Sequence, residues 1–296
     1  MSKKDQTISI VTPSFKQADF LARTIENIWG QEGDFYLEHI IADGGSPDHS
    51  VEVIKKYEKM LKDGKIKIGC KGIDFKWWSE KDKGQTDAII KGTKVSSGIL
   101  INWINSDDIL IGKDALQKIW QAYKKSKADV IIGRGALIDE NDKKLGEFAL
   151  LSKVRSNEAF QKVLPKILKG DFMCQQSVFY TRKLYNKIPL DINDHYCMDW
   201  NLYAKFYRSG AKFFYIDEVI GALREQPNAK TQIMPKAVYQ ERLDIYRRNH
   251  TYALGRVHSW MKVKMYDNKV LNNMVDGLTK SLANMFSFYK NRKIEN

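Results

Sequence analysis

The feature that most constrains this chain is an alternation. Short β-branched runs, each closed by a polar cluster, are separated by longer segments with helical periodicity. Ile8-Ser9-Ile10-Val11-Thr12 has the character of a buried strand and is closed by Pro13. Leu21, Ile25, Ile28 and Trp29 then follow at helical spacing. A second strand is predicted at His39-Ile40-Ile41-Ala42-Asp43, ended by Gly44-Gly45-Ser46-Pro47-Asp48. Val51, Ile54, Tyr57 and Leu61 mark the next helix face, and Ile66-Lys67-Ile68 reads as a third strand. Asp87 to Val95 is predicted helical, and Ile99 to Ile104 is a fourth strand running into Asn105-Ser106-Asp107-Asp108. Repeated strand–helix units of this length predict a mixed, mostly parallel sheet with helices on both faces. Ligands of such sheets bind beyond the carboxyl ends of the strands, where Thr12-Pro13-Ser14, Asp43-Gly44-Gly45 and Asn105 to Asp108 lie.

The second half is more mixed. Asp129 to Gly133 and Ser177 to Tyr180 read as strands, and Asp199 to Arg208 as a helix. Beyond about Leu223 the pattern turns helical. We expect one α/β domain over residues 1–228 and a basic helical C-terminal extension over 229–296. From Lys230 onward there are 13 Lys or Arg against 5 Asp or Glu, so most of the net charge of +13 sits in that extension. A surplus of this size points to anionic partners. The 3 cysteines (Cys70, Cys174, Cys197) are too few and too scattered for a disulfide framework or a Cys-rich zinc site, which fits a reducing compartment. No signal-peptide pattern and no apolar run of about 18 residues is present, so the expected location is cytoplasmic, at most peripheral at the inner face of a membrane.

Three clusters can carry chemistry. Asp107-Asp108 directly follows a buried strand, and hard cations such as Mg²⁺ and Mn²⁺ take carboxylate oxygens while keeping waters and substrate phosphates. Taken alone, the pair is better explained as a strand-ending turn that caps the next helix. Asp43 ends the second strand beside glycines that let a flat ligand approach the backbone, and its carboxylate can accept an N–H from a base edge. An ordinary strand-to-helix turn with Asp48 as cap has the same sequence. Ser79-Glu80-Lys81-Asp82-Lys83-Gly84 precedes a helix whose N-terminus could face an anion, or it is a solvated charged loop.

Together these segments say more than each does singly. Thr12-Pro13-Ser14-Phe15, Asp43 to Asp48, Ser79 to Gly84 and Trp103-Ile104-Asn105-Ser106-Asp107-Asp108 occur in an order and spacing that resemble family 2 glycosyltransferases of the GT-A fold. The resemblance spans roughly residues 7 to 225. It implies a Rossmann-like sheet flanked by helices, a nucleotide-sugar donor and inversion at the anomeric carbon. It further implies that Asp43 contacts the nucleobase with Asp82 on the same side. Thr12, Pro13, Ser14, Gly44 and Lys83 would line the same donor site. Asp107 and Asp108 match the family's metal-and-ribose acids, with Asp108 the metal ligand, for Mn²⁺ or Mg²⁺. Met198-Asp199-Trp200-Asn201-Leu202 matches the family's catalytic segment, with Asp199 as base, and Gln175-Gln176-Ser177 resembles the acceptor-side lining.

The chemistry agrees independently, because a sugar hydroxyl is a weak nucleophile that needs a positioned base. A helix N-terminus at Asp199 would favour its anion. One departure is Gln226 where the family often has His, in Arg224-Glu225-Gln226-Pro227-Asn228-Ala229-Lys230; Arg224 could still meet the diphosphate. The expected function is transfer from a UDP- or dTDP-sugar to a hydroxyl of a glycan or lipid-linked glycan, in surface polysaccharide synthesis. The alternative is a non-catalytic nucleic-acid-binding α/β protein, motivated by the charge and by 13 Phe, 14 Tyr and 7 Trp. No nucleic-acid-binding signature accompanies them, and neither G-x-G-x-x-G after the first strand nor G-x-x-x-x-G-K-[ST] is present. At the far end Leu271, Val275, Leu278, Leu282, Met285, Phe286 and Tyr289 form one stripe with Lys290, Arg292 and Lys293 nearby. Such a helix suits an anionic membrane surface or pairing with a second copy.

Overall fold

All eight residues of strand β1 (Thr7–Ser14) are buried, because the strand lies inside a sheet that is covered on both faces. The fold is described from a computed structural model, which covers residues 2–170, 172–225, 235–249 and 253–266. After β1 come α1 (Ala18–Trp29), β2 (Tyr36–Asp43), α2 (Ser50–Lys62), β3 (Ile73–Ser79) and α3 (Gln85–Val95). They are followed by β4 (Leu100–Trp103), β5 (Ile109–Leu110), α4 (Ala115–Ser126), β6 (Val130–Ile138) and β7 (Lys144–Glu147). The later elements are α5 (Asn157–Val163), β8 (Val178–Thr181), α6 (Arg182–Lys187), α7 (Met198–Arg208), β9 (Phe213–Arg224), α8 (Pro235–Arg248) and α9 (Ala253–Met265).

Among the described residues the strands form one sheet in the order β3-β2-β1-β4-β8-β6-β9-β5, with β7 paired to β6. Strands β3, β2, β1 and β4 are parallel, as the strand–helix alternation predicts. Strand β8 then runs antiparallel to both β4 and β6, which makes the sheet mixed. Side chains alternate between two cores with the period of a strand. Ile8, Ile10, Leu100, Ile131 and Phe179 face the packing of α1, α2 and α4. Val11, Ile101, Trp103, Val130 and Tyr180 face the packing of α3, α5, α6 and α7. Ile245 and Tyr246 of α8 belong to that second core, so the start of the basic extension is built into the same interior as the catalytic-sized domain. Each such fully buried apolar side chain contributes about 1.5–3 kcal/mol.

Two segments differ from the sequence reading. Ile66-Lys67-Ile68 is not a strand, and Ile68 is exposed; the third strand is β3, which pairs with β2 from Leu37↔Ile73 to Asp43↔Ser79. Three residues offer too few ladder bonds and too little buried side chain to outcompete the seven-residue run after Gly72. Strand β9, unassigned by periodicity, extends from Phe213 to Arg224 and pairs in parallel with β6 through a register shift between Ile132 and Gly135. That irregularity breaks the alternation by which a strand is recognised. The apolar stripe from Leu271 to Tyr289, the basic residues Lys290, Arg292 and Lys293, and the loop from Gln226 to Lys230 lie outside the described residues.

Candidate active site

The parallel register brings the predicted donor-side residues to one end of the sheet. Ser14 stands beside Asp43 and Asp43 beside Ser79, while Val11 pairs with Trp103 just before the acid pair. Asp43 is buried, and its Oδ2 accepts the N–H of Gly45 (3.1 Å), the N–H of Ser46 (2.9 Å) and the hydroxyl of Ser79 (2.6 Å). Its Oδ1 accepts the Ser46 hydroxyl at 2.6 Å and keeps capacity for one more donor. Gly45 adopts φ +77°, a conformation open to glycine, which lets the loop fold back on the carboxylate. A Cβ at Gly44 would stand 2.8 Å from Asp82 Oδ2, so the absent side chain is what allows Asp82 to pack against the backbone next to Asp43. Lys83 is exposed on the same loop, and its backbone N–H is bound by Asp87 at 3.0 Å.

The three β1 residues divide in their roles. Trp29 Nε1 donates to His39 Nδ1 at 2.9 Å, so the imidazole must carry its proton on Nε2, which donates to Thr12 Oγ1 at 3.0 Å. Thr12 is thereby turned into the interior and offers the strand end only its backbone. Complete burial pushes His39 down to about 3, so it stays neutral. Pro13 stays within the ladder opposite Ala42. Ser14 Oγ is buried and finds no hydrogen-bond partner among the described residues, an arrangement suited to a ligand group.

The acid pair sits between β4 and β5. Pairing of β5 with β9 (Ile109↔Ala222) carries Arg224 to it. Asp108 is buried; its Oδ1 accepts the Arg224 N–H at 2.9 Å, and its Oδ2 accepts Asn105 Nδ2 at 2.8 Å and Gln176 Nε2. Burial, with the neighbouring Asp107 charge adding to it, pushes Asp108 up to about 8. Asp107 is half-buried. The Arg224 side chain is not directed at a diphosphate: it donates to the carbonyls of Asp107 (2.7 Å) and Asp139 and to the Asp142 carboxylate, and it is 2% exposed. It stitches the acid loop to the turn between β6 and β7. Gln175 and Gln176, expected on the acceptor side, lie buried behind the pair instead, Gln175 bound to Asn102 Oδ1 and to the Trp103 carbonyl.

The oxygen chemistry of the acid pair fits a hard divalent cation. Among the described residues no cluster of three or more His, Cys, Asp and Glu forms a metal site. Water and phosphate oxygens would complete the shell around a two-carboxylate site.

Asp199 lies in the first turn of α7, half-buried. The sequence reading expects the helix start to favour its anion, and the Trp200 N–H at 2.8 Å does so. Burial outweighs that bond and, with the Glu241 charge adding to it, lifts Asp199 to about 6. The two acidic centres are linked through α3. Gln85 Nε2 binds Asn105 Oδ1 at 2.8 Å, and Asn105 binds Asp108. The next residue, Thr86, donates to the Asp194 carbonyl and meets Met198 Sδ, just ahead of Asp199. Glu241 is the residue that sequence reasoning missed, because an acid 42 positions away in a basic segment carries no local signal.

Residues 9–224 match the family described as Glycosyl transferase family 2. The chain belongs to that family. An uncharacterized glycosyltransferase of Mycobacterium tuberculosis (strain CDC 1551 / Oshkosh) is 30% identical over 184 residues, 62% of this chain and 61% of that relative. Glycosyltransferase GlyG of Streptococcus pneumoniae serotype 4 is 24% identical over 72% of this chain and 69% of its own length. The family 2 member also shares its fold with S. aureus TarS 1-349 in complex with UDP, at TM-score 0.59 and 13% identity, over 89% of this chain and 71% of that one. The mannosyltransferase PcManGT from Pyrobaculum calidifontis, in complex with GDP-Man and Mn²⁺, matches at TM-score 0.59 and 12% identity over 93% and 74%. The fold is therefore of GT-A type, and the nucleic-acid-binding alternative finds no support. No helix among the described residues of this family 2 member is long and apolar enough to cross a membrane.

Proposed function

We propose that this protein transfers a sugar, with inversion, from a nucleoside-diphosphate sugar to a hydroxyl of a glycan or lipid-linked glycan in surface polysaccharide synthesis. The observation that carries the reading is Asp199, lifted to about 6 at the start of α7 and joined through α3 to the acid pair. A base poised near neutral pH takes the acceptor proton as the new bond forms, and the acceptor oxygen attacks the anomeric carbon on the face opposite the leaving diphosphate. Asp43, Gly44, Asp82 and Ser14 hold the nucleoside end, with the spare acceptor site of Asp43 suited to a pyrimidine N3–H. That supports UDP or dTDP as the nucleotide. Lys83, exposed at the rim, has the charge to meet the diphosphate.

Asp107 and Asp108 would hold Mn²⁺ or Mg²⁺, which when bound neutralises charge on the departing diphosphate. The UDP complex of one structural neighbour and the GDP-Man and Mn²⁺ complex of another support the donor class and the metal. The basic surplus of the extension supports a peripheral place at an anionic membrane, and the apolar stripe from Leu271 to Tyr289 supports pairing of two copies through the C-terminal helices.

Product stereochemistry tests the mechanism. An α-linked UDP-sugar should give a β-linked product by NMR, and retention would overturn it. GDP bound tenfold more tightly than UDP in calorimetry would remove the role given to Asp43.

A further inference from the structure

The segment from Asp191 to Cys197 leads directly into the first turn of α7, and helix α8 grips it at two points. Glu241 accepts three successive backbone N–H groups: His195 at 2.8 Å, Tyr196 at 2.8 Å and Cys197 at 2.7 Å. Arg248, seven residues later and hence on the same helix face, binds the carboxylates of Asp191 (2.9 Å) and Asp194. Asp194 is itself buried and accepts from Asn201 Nδ2 on α7. Below this grip, Tyr246 meets Trp200 edge-on with ring centroids 5.0 Å apart, and Trp200 Nε1 donates to the Ile167 carbonyl. Trp200 is the residue next to Asp199. The loop ahead of Asp199 and the residue behind it are therefore both fixed by α8, an element beyond the 9–224 region that matches the family.

We propose that Glu241 is a positioning residue for Asp199, so that the acceptor side of the site is completed by the C-terminal extension. The inference rests on Asp199 being the base. Hydrogen bonds to a carboxylate are about twice as strong as neutral ones, and three of them hold the three successive peptide planes that lead into α7. A displacement of about 1 Å at a catalytic group can lower turnover by as much as ~10²-fold. Withdrawing the Glu241 carboxyl by one methylene should produce such a displacement without touching the donor half of the sheet.

The test uses the full chain, UDP-glucose, UDP-galactose and UDP-N-acetylglucosamine with Mn²⁺, and octyl β-glucoside as acceptor, read as UDP release. Glu241→Asp should lower kcat by about tenfold or more with the donor KM within about twofold of wild type. Glu241→Gln keeps the Oε1 acceptor for Tyr196 and Cys197 and should recover most of what the Asp variant loses. A Glu241→Asp kcat within twofold of wild type, or a loss appearing in the donor KM alone, overturns the positioning role. Asp199→Asn in the same assay separates the two ideas. If it turns over like wild type, the base assignment falls and the inference with it. If it is inactive while Glu241→Asp is unimpaired, only the positioning role falls.

Discussion

Asp43 and Asp199 both stand at the ends of secondary elements, yet the two halves of the molecule treat them in opposite ways. In the parallel half, Asp43 accepts four hydrogen bonds from Gly45, Ser46 and Ser79, all within its own loop and the adjoining strand. In the mixed half, Asp199 has the Trp200 N–H, a desolvating surround and the Glu241 charge, and it is pushed up to about 6. A carboxylate surrounded by donors is a fixed acceptor. One that is desolvated, with fewer donors and a like charge nearby, is lifted toward neutral pH, where it can accept a proton. Under the proposed function, the same residue type thus serves as a recognition group or as a base according to what the fold packs beside it.

The contrast between the two halves of the molecule depends most on Asp199. Asp199→Asn should lower turnover by about 10²–10⁴-fold while leaving UDP affinity unchanged. Because Asp199 must be ionised to take a proton, wild-type activity should rise with pH through about 6 and level off above it. A pH–rate profile of the metal-loaded enzyme showing no limb near that value would remove Asp199 from the base role.

The next effect lies where the halves join. Arg224→Met removes the donors to Asp107, Asp139 and Asp142 and frees the acid loop from the β6–β7 turn. Loss of these charge-assisted bonds should cost about 2–3 kcal/mol in urea unfolding, with weaker Mn²⁺-dependent UDP binding in calorimetry. Unchanged stability would mean that the stitch between the halves is not structural.

A smaller effect is expected in the parallel half alone. His39 is neutral in the fold at about 3, against about 6.5 in an unfolded chain. Acid therefore protonates the unfolded chain first: the stability is complete above pH 6.5 and is lost as pH falls toward about 3. The loss should be roughly 1.4 kcal/mol per pH unit in that window. Urea unfolding of wild type and His39→Gln at pH 7 and pH 5 measures it, and equal pH dependence of the two would refute it. Smallest of all, Ser79→Ala leaves Asp43 three of its four bonds and should cost about 1 kcal/mol by the same measurement. A loss of 3 kcal/mol or more would mean that Asp43 is held less redundantly than its contacts indicate.

The chain's local patterns are strong where neighbours in sequence are neighbours in space. β1, β2 and β4, the helices between them and the clusters at Asp43 and Asp107-Asp108 all follow from periodicity and from glycine or polar residues at strand ends. The edge strand β3 and the bulged β9 escape that reasoning. The first competes with an equally plausible short run, and the second has its alternation interrupted. In the candidate site, the residues singled out in the sequence take defined places: Asp43 ends β2, Asp108 lies between β4 and β5, and Asp199 is in the first turn of α7. The sequence directs Arg224 and Gln176 toward ligands, whereas they are bound to the protein itself.

What the sequence determines by itself is the order of elements, the parallel half of the sheet and the carboxylates at its open end, because these depend on contacts within a few residues or between adjacent strands. What the tertiary structure alone decides is the chemical state of those carboxylates. Asp108 is pushed up by burial and by the Asp107 charge, against the hydrogen bonds of Arg224, Gln176 and Asn105, and Asp199 by desolvation and by Glu241 on α8. A proton's free energy depends on the charge and solvent within a few ångströms, and part of those surroundings comes from far along the chain: Glu241 is 42 positions from Asp199, and Gln176 and Arg224 are 68 and 116 positions from Asp108.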